Sequence, residues 1–473
     1  MYLLSKYKDN PWMGFNEIRR KHGDVVGLQL GQQKAVLVSS AEVMREVLLL
    51  KGDIFCDRPA FHRYALIFGR DRHNSLALCD WSEVQKVRRS MAQSGVIPKY
   101  GSKGYRNLSK CIESEIKLMI EETIGTKKMF VLAKQDVLIL CANIFMKYLC
   151  SKKPPNGCTK FLDSVQKYDY IFHDINQCYA IDFIPNLSVF GLHKSYFDSV
   201  EESAISLRDY VEKEAVGNRL EATVARLETD GKDEYEDFLE LMLEHYVRNP
   251  SSMSWTVCMY EIGDLIGGQS AVGNLLMRLI GFVAMNPSVQ KELYIEAKNA
   301  LKTRPSDDDI ITLDHRPVMP LTEASILETL RHTSSPIVPH VNRVDTKLQE
   351  YDISKGTMVL FNTYYLNMSP EFWCEPQRFN PSRFISSSGS VSHISKPDHF
   401  FPFSSGRRAC LGYKMVQTIA FTAIANLVLN YDISALNDEQ LYEMGRQLAP
   451  KGCLALDLSD KCFKVSLSPR SEK

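Results

Sequence analysis

Cys410 is the residue around which chemistry is most readily built. It stands in Phe403-Ser-Ser-Gly406-Arg-Arg408-Ala-Cys410-Leu-Gly412, between an extended stretch and a helix. A cysteine at a helix N-terminus meets unpaired amide groups and the positive end of the dipole, which favour the thiolate, the form that binds metals. Gly406 permits a tight turn, Gly412 lets a flat group approach the helix backbone, and the Arg408 guanidinium suits a carboxylate. Taken alone, Cys410 reads as a buried core thiol. The spacing of the surrounding residues is what makes it a ligand.

A second set is ionic. Glu328-Thr-Leu-Arg331 places a carboxylate and a guanidinium three residues apart, on one face of a helix, and Asn380-Pro-Ser-Arg383-Phe384 follows some fifty residues later. Such a pair is weak evidence alone, because i,i+3 ion pairs are common on helix surfaces.

These residues need elements to hold them. Short β-type runs, Val25-Val-Gly-Leu-Gln-Leu and Ala35-Val-Leu-Val-Ser, precede an amphipathic helix from Ala41, and strands and loops return over about 333–400, with one last helix beginning near Cys410. Between them, over about 66–332, helical periodicity dominates, broken at Lys153-Pro-Pro-Asn-Gly, Phe183-Ile-Pro-Asn and Asn249-Pro-Ser-Ser. The pattern predicts one mainly α domain over 1–473 with β-rich portions at about 1–65 and 333–400 and a further helix over about 410–430. A helix from about Ser254 to Met285, ended by Asn286-Pro287, is long enough to cross the whole domain. It contains Gly263, Gly267, Gly268 and Gly273, each costing roughly 0.8–1 kcal/mol against Ala. Close helix packing or the approach of a flat ligand or small molecule would compensate, and the latter is the favoured reading.

Composition removes several classes of function. With 57 basic and 57 acidic residues the formal charge is zero, so no overall field draws the chain to nucleic acid. The 12 cysteines are scattered singly without a CxxC pair, which fits buried thiols in a reducing compartment rather than a disulfide framework. No window reaches about 18 uncharged apolar residues, so the sequence as written holds no membrane span.

The segment Phe403 to Gly412 fits the haem-thiolate signature of the cytochromes P450 at all its fixed positions, and with Glu328, Arg331 and the Arg383 segment in order the chain resembles that family. The resemblance implies a mainly α fold with a minor β region, and haem b between the long helix and the ligand loop. It implies iron bound by Cys410 and a propionate met by Arg408. Glu328, Arg331 and Arg383 would support the ligand loop. His340, after Pro339, matches a strand position that meets a propionate, and Trp81 and Arg88 resemble the tryptophan and arginine of the family's C helix, although the spacing here is i,i+7 and not the usual four.

The family's long helix carries an acid and an alcohol that deliver protons during oxygen activation. This chain reads Gly267-Gly268-Gln269-Ser270-Ala271: the glycines match and would accept dioxygen, Ser270 replaces the acid, and Ala271 replaces the threonine. An alanine methyl neither donates nor accepts a proton. Protons are then expected from Ser270, Gln269, water or a substrate hydroxyl.

Asn74 to Trp81, Gly267 to Leu275 and Ser334 to Val341 resemble in particular the spook and spookier P450s of arthropod ecdysteroid synthesis. That implies an NADPH- and O2-dependent monooxygenase acting on an apolar sterol, early on the route from 7-dehydrocholesterol. It implies NADPH-cytochrome P450 reductase as electron source, docked near Arg407 and Lys414, and the cytosolic face of the endoplasmic reticulum, with the mitochondrion as the lesser alternative. Membrane contact would come from an anchor not found in this sequence and from segment 182–187. Leu76, Ala77, Leu78, Ala271, Val272, Ile337 and Val338 are the expected apolar lining. The competing readings keep the haem: an isomerase or dehydratase that uses no external oxygen, or a sterol or gas sensor without turnover.

Overall fold

Ser254 caps the helix on which the fold is organised. In the computed structural model its Oγ accepts the Val257 N–H at 3.2 Å, and the helix runs Trp255–Met285. Asn286 ends it and Pro287 opens the next helix, Pro287–Thr303, where a missing N–H costs nothing. The structure describes residues 6–470 apart from 8–9, 97, 126, 178, 192–193, 230–234, 251–252, 307–308, 336, 389–390, 450–457 and 459–460. The opening residues 1–5, Ser251 and Ser252 of the break before the long helix, and Pro336 lie outside the described residues.

Most of the long helix is buried, so its polar side chains need internal partners. Asn274 finds three: its Nδ2 donates to Asp169 Oδ1 at 2.7 Å and to Ser270 O at 2.9 Å, and its Oδ1 accepts the Leu458 N–H at 2.9 Å. The glycines mark where neighbouring helices close in. A Cβ on Gly273 would stand 2.7 Å from Leu138 Cδ2, one on Gly268 3.2 Å from Phe145 Cε1, and one on Gly267 3.0 Å from Tyr168 Cδ1. Leu138 and Phe145 belong to helix Lys134–Cys150, and Tyr168 to helix Thr159–Ile175. Both readings of these glycines find support: side chains of packed helices stand where a Cβ would go, and Gly263, Gly267 and Gly268 also line the central cavity.

The β portion brings early and late chain together. Val25–Leu30 pairs antiparallel with Gln33–Val38, which runs parallel to Met358–Phe361, and His340–Val341 closes the sheet antiparallel to that strand. Within strand Gln33–Val38, Ala35 and Leu37 are buried in one core cluster and Val36 and Val38 in another. Outside the expected β portions, Phe130–Leu132, Val465–Pro469 and Tyr431–Ala435 form a second sheet. A strand as short as Phe130–Leu132 has no independent stability and exists through its pairing with Val465–Leu467, which no local pattern reveals. The last long helix begins at Tyr413, later than expected, and runs to Asn430. Among the described residues no single helix is long and apolar enough to cross a membrane.

Candidate active site

Cys410 is held by its own loop. Gly406 has φ +73°, a conformation that L side chains rarely adopt, and a Cβ there would collide with the Leu48 carbonyl. The turn Gly406–Arg408 closes with Ala409 N–H donating to Gly406 O at 3.1 Å, and Cys410 N–H returns to Phe403 O at 2.9 Å. The sulfur faces a cavity of about 460 Å³ that Phe403, Arg408 and Gly412 also line. Backbone N–H groups of Gly412 and Tyr413 point at it, as the helix-terminus reading expects, but burial outweighs them and raises the Cys410 thiol. The dipole alone does not ionise this cysteine. A cation at the sulfur is what would complete the task. A Cβ on Gly412 would meet no protein atom within 4 Å.

Beside the loop lies a cluster of cations. Arg58, Arg89 and Arg408 all line the cavity. Arg408 Nε donates to Cys56 O at 2.8 Å and Nη2 to Cys79 O at 2.6 Å, while its Nη1 is buried with no partner among the described residues. Arg58 Nη1 donates to Val338 O at 2.9 Å, and Arg89 Nη2 to Ala409 O at 2.6 Å. Burial, together with the neighbouring arginines, pushes Arg58 down to about 9 and Arg89 to about 10. Buried like charges that depress one another call for an anion.

Several expected positions are placed differently. Arg88 turns away from the cavity: it is ion-paired with Glu261 and donates from Nη1 to His73 O at 2.9 Å and from Nη2 to Asn74 O at 3.0 Å. The next residue, Arg89, reaches the cavity instead, because successive helical residues point about 100° apart. His340 does not line the cavity; its Nδ1 donates to Phe55 O at 2.7 Å, and burial and Arg58 keep the ring well below its usual value, hence neutral. Its Nε2 is buried without a partner among the described residues. Trp81 lies beneath the Arg407 and Arg408 guanidiniums, 5.2 and 5.3 Å from its ring centre, and so braces the ligand loop.

The ionic set is assembled away from the cavity. Arg331 meets Glu328 through two bonds, each of 2.8 Å, and Arg383 Nε donates to Glu328 Oε1 at 3.0 Å. Arg331 Nη1 also donates to Asn367 O at 2.7 Å, and both guanidiniums lie over Trp373. Burial pushes the Glu328 carboxyl up, but Arg331 and His332 outweigh it and hold it at about 2. This is a rigid clamp on the segment that leads to the ligand loop.

On the long helix, Gly263, Asp264, Gly267, Gly268, Ala271 and Leu275 form the stripe that lines the cavity. Gln269 and Ser270 lie off it. Both are buried, and Gln269 Oε1 and Ser270 Oγ have no partner among the described residues. The expectation that both face the reacting space is thus corrected: the helical period turns them from the stripe, and of Gln269, Ser270 and Ala271 it is Ala271 that lines the cavity. A carboxylate on this stripe does face it: Asp264, which sequence reasoning missed. Its position two turns before Ala271 on the same face was the available signal. Asp264 Oδ2 accepts Ser75 Oγ–H at 3.0 Å and Leu76 N–H at 2.9 Å, and burial raises the carboxyl to about 6.

A family model described as Cytochrome P450 matches residues 1–450. The chain belongs to the cytochrome P450 family. It is similar to Cytochrome P450 307a1 of Drosophila melanogaster, 32% identical with 100% of this chain and 87% of the relative covered. It also resembles Cytochrome P450 1A1 of Sparus aurata, at 26% identity over 94% of this chain and 86% of the relative. Solved structures of a zebra fish cytochrome P450 with abiraterone and with progesterone share the fold, with TM-scores of 0.76 and 0.77 at 20% and 21% identity, covering 98% and 97% of this chain and 99% of each.

The residues of this P450 fit haem b. Cys410 would bind the iron, and the unpartnered Arg408 Nη1, with Arg58 and Arg89, would take the propionates, satisfying the charge that the cluster leaves uncompensated. Bound there, the thiolate-ligated haem supplies oxygen activation, with electrons from NAD(P)H through a redox partner. The protein's own contribution is to position the sulfur, through Gly406 and the Phe403 carbonyl, and to present an apolar wall that excludes water from the reacting face. Arg58 and Arg89 were missed because neither sits in a spaced motif; each is brought to the loop from a distant part of the chain.

Proposed function

We propose that this P450 monooxygenase oxidises a sterol, at an early step of ecdysteroid synthesis from 7-dehydrocholesterol. The observation that carries the reading is the cavity wall: Leu76, Ala77, Ala271, Val272, Ile337 and Val338 line it as expected, and only Leu78 turns into the core. An apolar wall over the reacting face suits a rigid hydrocarbon ring system. The likeness of 74–81, 267–275 and 334–341 to the spook and spookier type, and the Drosophila melanogaster relative at 32% identity, support the same substrate class.

Electrons come from NADPH-cytochrome P450 reductase, docking where Arg407 and Lys414 are exposed beside the ligand loop. The enzyme works at the cytosolic face of the endoplasmic reticulum. Of segment 182–187, Asp182 is ion-paired with Arg63 and Phe183 packs on Phe61 at 5.6 Å, while Pro185 and Asn186 are exposed and would meet a membrane surface.

The test is incubation of reductase-coupled enzyme with 7-dehydrocholesterol and related sterols, followed by mass spectrometry. Added oxygen or lost hydrogen that requires both NADPH and O2 is the expected result. No change in any sterol overturns the substrate class, and turnover without O2 overturns the monooxygenase reading.

A further inference from the structure

The cavity wall is apolar with few exceptions away from the arginine cluster, and two of them are Tyr168, which packs against the long helix, and Asp264, which belongs to it. Tyr168 is 6% exposed and lines the cavity, yet its hydroxyl has no hydrogen-bond partner among the described residues. The ring is wedged against the long helix: a Cβ on Gly263 would stand 3.7 Å from Tyr168 Oη, and one on Gly267 3.0 Å from Cδ1. Asp264 follows Gly263 on the long helix and lines the same cavity. An unsatisfied buried hydroxyl costs roughly 1–3 kcal/mol, so a fold that keeps one beside a carboxylate in a ligand cavity has a use for it.

We propose that Tyr168 and Asp264 form a polar subsite that takes a hydroxyl group on an otherwise apolar ring substrate. The substrate hydroxyl donates to the Asp264 carboxylate, and its oxygen accepts from Tyr168 Oη–H. Asp264 keeps acceptor capacity beyond Ser75 and Leu76, since a carboxylate has about four lone-pair sites. Burial raises Asp264 to about 6 and Tyr168 well above its usual value, so near neutral pH the carboxylate accepts and the phenol donates. Arg208 offers a further donor: its Nε is buried, lines the same cavity and lacks a hydrogen-bond partner among the described residues, while Nη2 lies 3.8 Å from Glu212. Tyr168 and Asp264 are specificity-determining residues in this assignment, fixing which end of the substrate lies away from them. The subsite rests on the sterol reading above.

The experiment titrates haem-loaded enzyme with a 3-hydroxysterol and with its 3-deoxy counterpart, reading the substrate-induced spin-state shift. Tyr168→Phe removes a hydroxyl that has no hydrogen-bond partner among the described residues, so the fold and the reduced carbon monoxide band stay intact. The expected result is about tenfold weaker binding of the hydroxysterol by Tyr168→Phe, with the deoxysterol unchanged. Asp264→Asn is expected to act in the same direction. Equal losses for both sterols, or no loss for either, overturn the subsite while leaving the sterol reading in place. Absence of a spin shift with both sterols in the unaltered enzyme overturns the sterol reading and the subsite with it.

Discussion

Arg88, on helix Glu83–Val96, and Glu261, in the second turn of the long helix, form an ion pair buried on both sides. Burial nonetheless leaves the Glu261 carboxyl raised to about 7, with Arg88 only partly offsetting the cost. The pair ties the helix beside the ligand loop to the centre of the fold, and it sets Arg88 apart from the arginines that face the cavity.

Arg88→Met leaves the Glu261 carboxyl buried without its partner, and since that carboxyl is already raised it takes up a proton, so unfolding stability at neutral pH is expected to fall by about 1–3 kcal/mol. The double variant Arg88→Met/Glu261→Met removes both charges and should recover most of that loss. Denaturant titration of the two variants gives the comparison. Haem retention in the folded double variant separates the roles further: unchanged retention is expected, whereas a folded protein that loses haem would mean that Arg88 acts on the cofactor after all.

Gly406→Ala attacks the ligand loop from within. A left-handed φ costs a non-glycine residue about 1–2 kcal/mol, and the new methyl meets the Leu48 backbone, which cannot rotate away as a side chain could. Expressed protein should show a sharply reduced fraction of the thiolate-type reduced carbon monoxide complex. A normal fraction would show that the loop has another way to present Cys410.

Glu328 makes stability depend on acid. Its carboxyl lies at about 2 in the folded protein against an ordinary 4.5, so ionised Glu328 favours folding. That contribution, on the order of 3 kcal/mol, is complete above about pH 4.5 and disappears as pH falls toward 2. The stability gap between the natural protein and Glu328→Gln should therefore narrow across that window. Urea midpoints measured through the window test it, and a constant gap would sink the assignment.

Ala271→Thr restores an alcohol on the cavity-facing stripe, where the threonine Oγ can also bond the carbonyl one turn earlier. The ratio of product formed to NADPH consumed is expected to change, because an alcohol on the cavity wall can pass a proton where the Ala271 methyl cannot. An unaltered ratio would mean that proton delivery in this enzyme does not pass through residue 271.

The amino-acid sequence by itself determined the family, the sulfur ligand and the bounds of the long helix, because each is written in local chemistry. The Phe403 to Gly412 spacing specifies a loop through one left-handed glycine, Ser254 and Asn286-Pro287 punctuate a helix, and Glu328 and Arg331 meet by helical period alone. Tertiary structure decided which polar groups face the cavity. Arg88 and Arg89 are neighbours of the same type, and only packing against Glu261 selects which one turns inward. Tyr168, Phe145 and Leu138 pack against glycines of the long helix while Gly263, Gly267 and Gly268 also line the cavity, a double placement that local spacing does not show. Arg58, Tyr168 and Asp264 come together across long stretches of chain, through helix and sheet packing that has no periodic signature. A spaced motif carries its own geometry, while a cavity is made of residues whose only common property is where the fold leaves them.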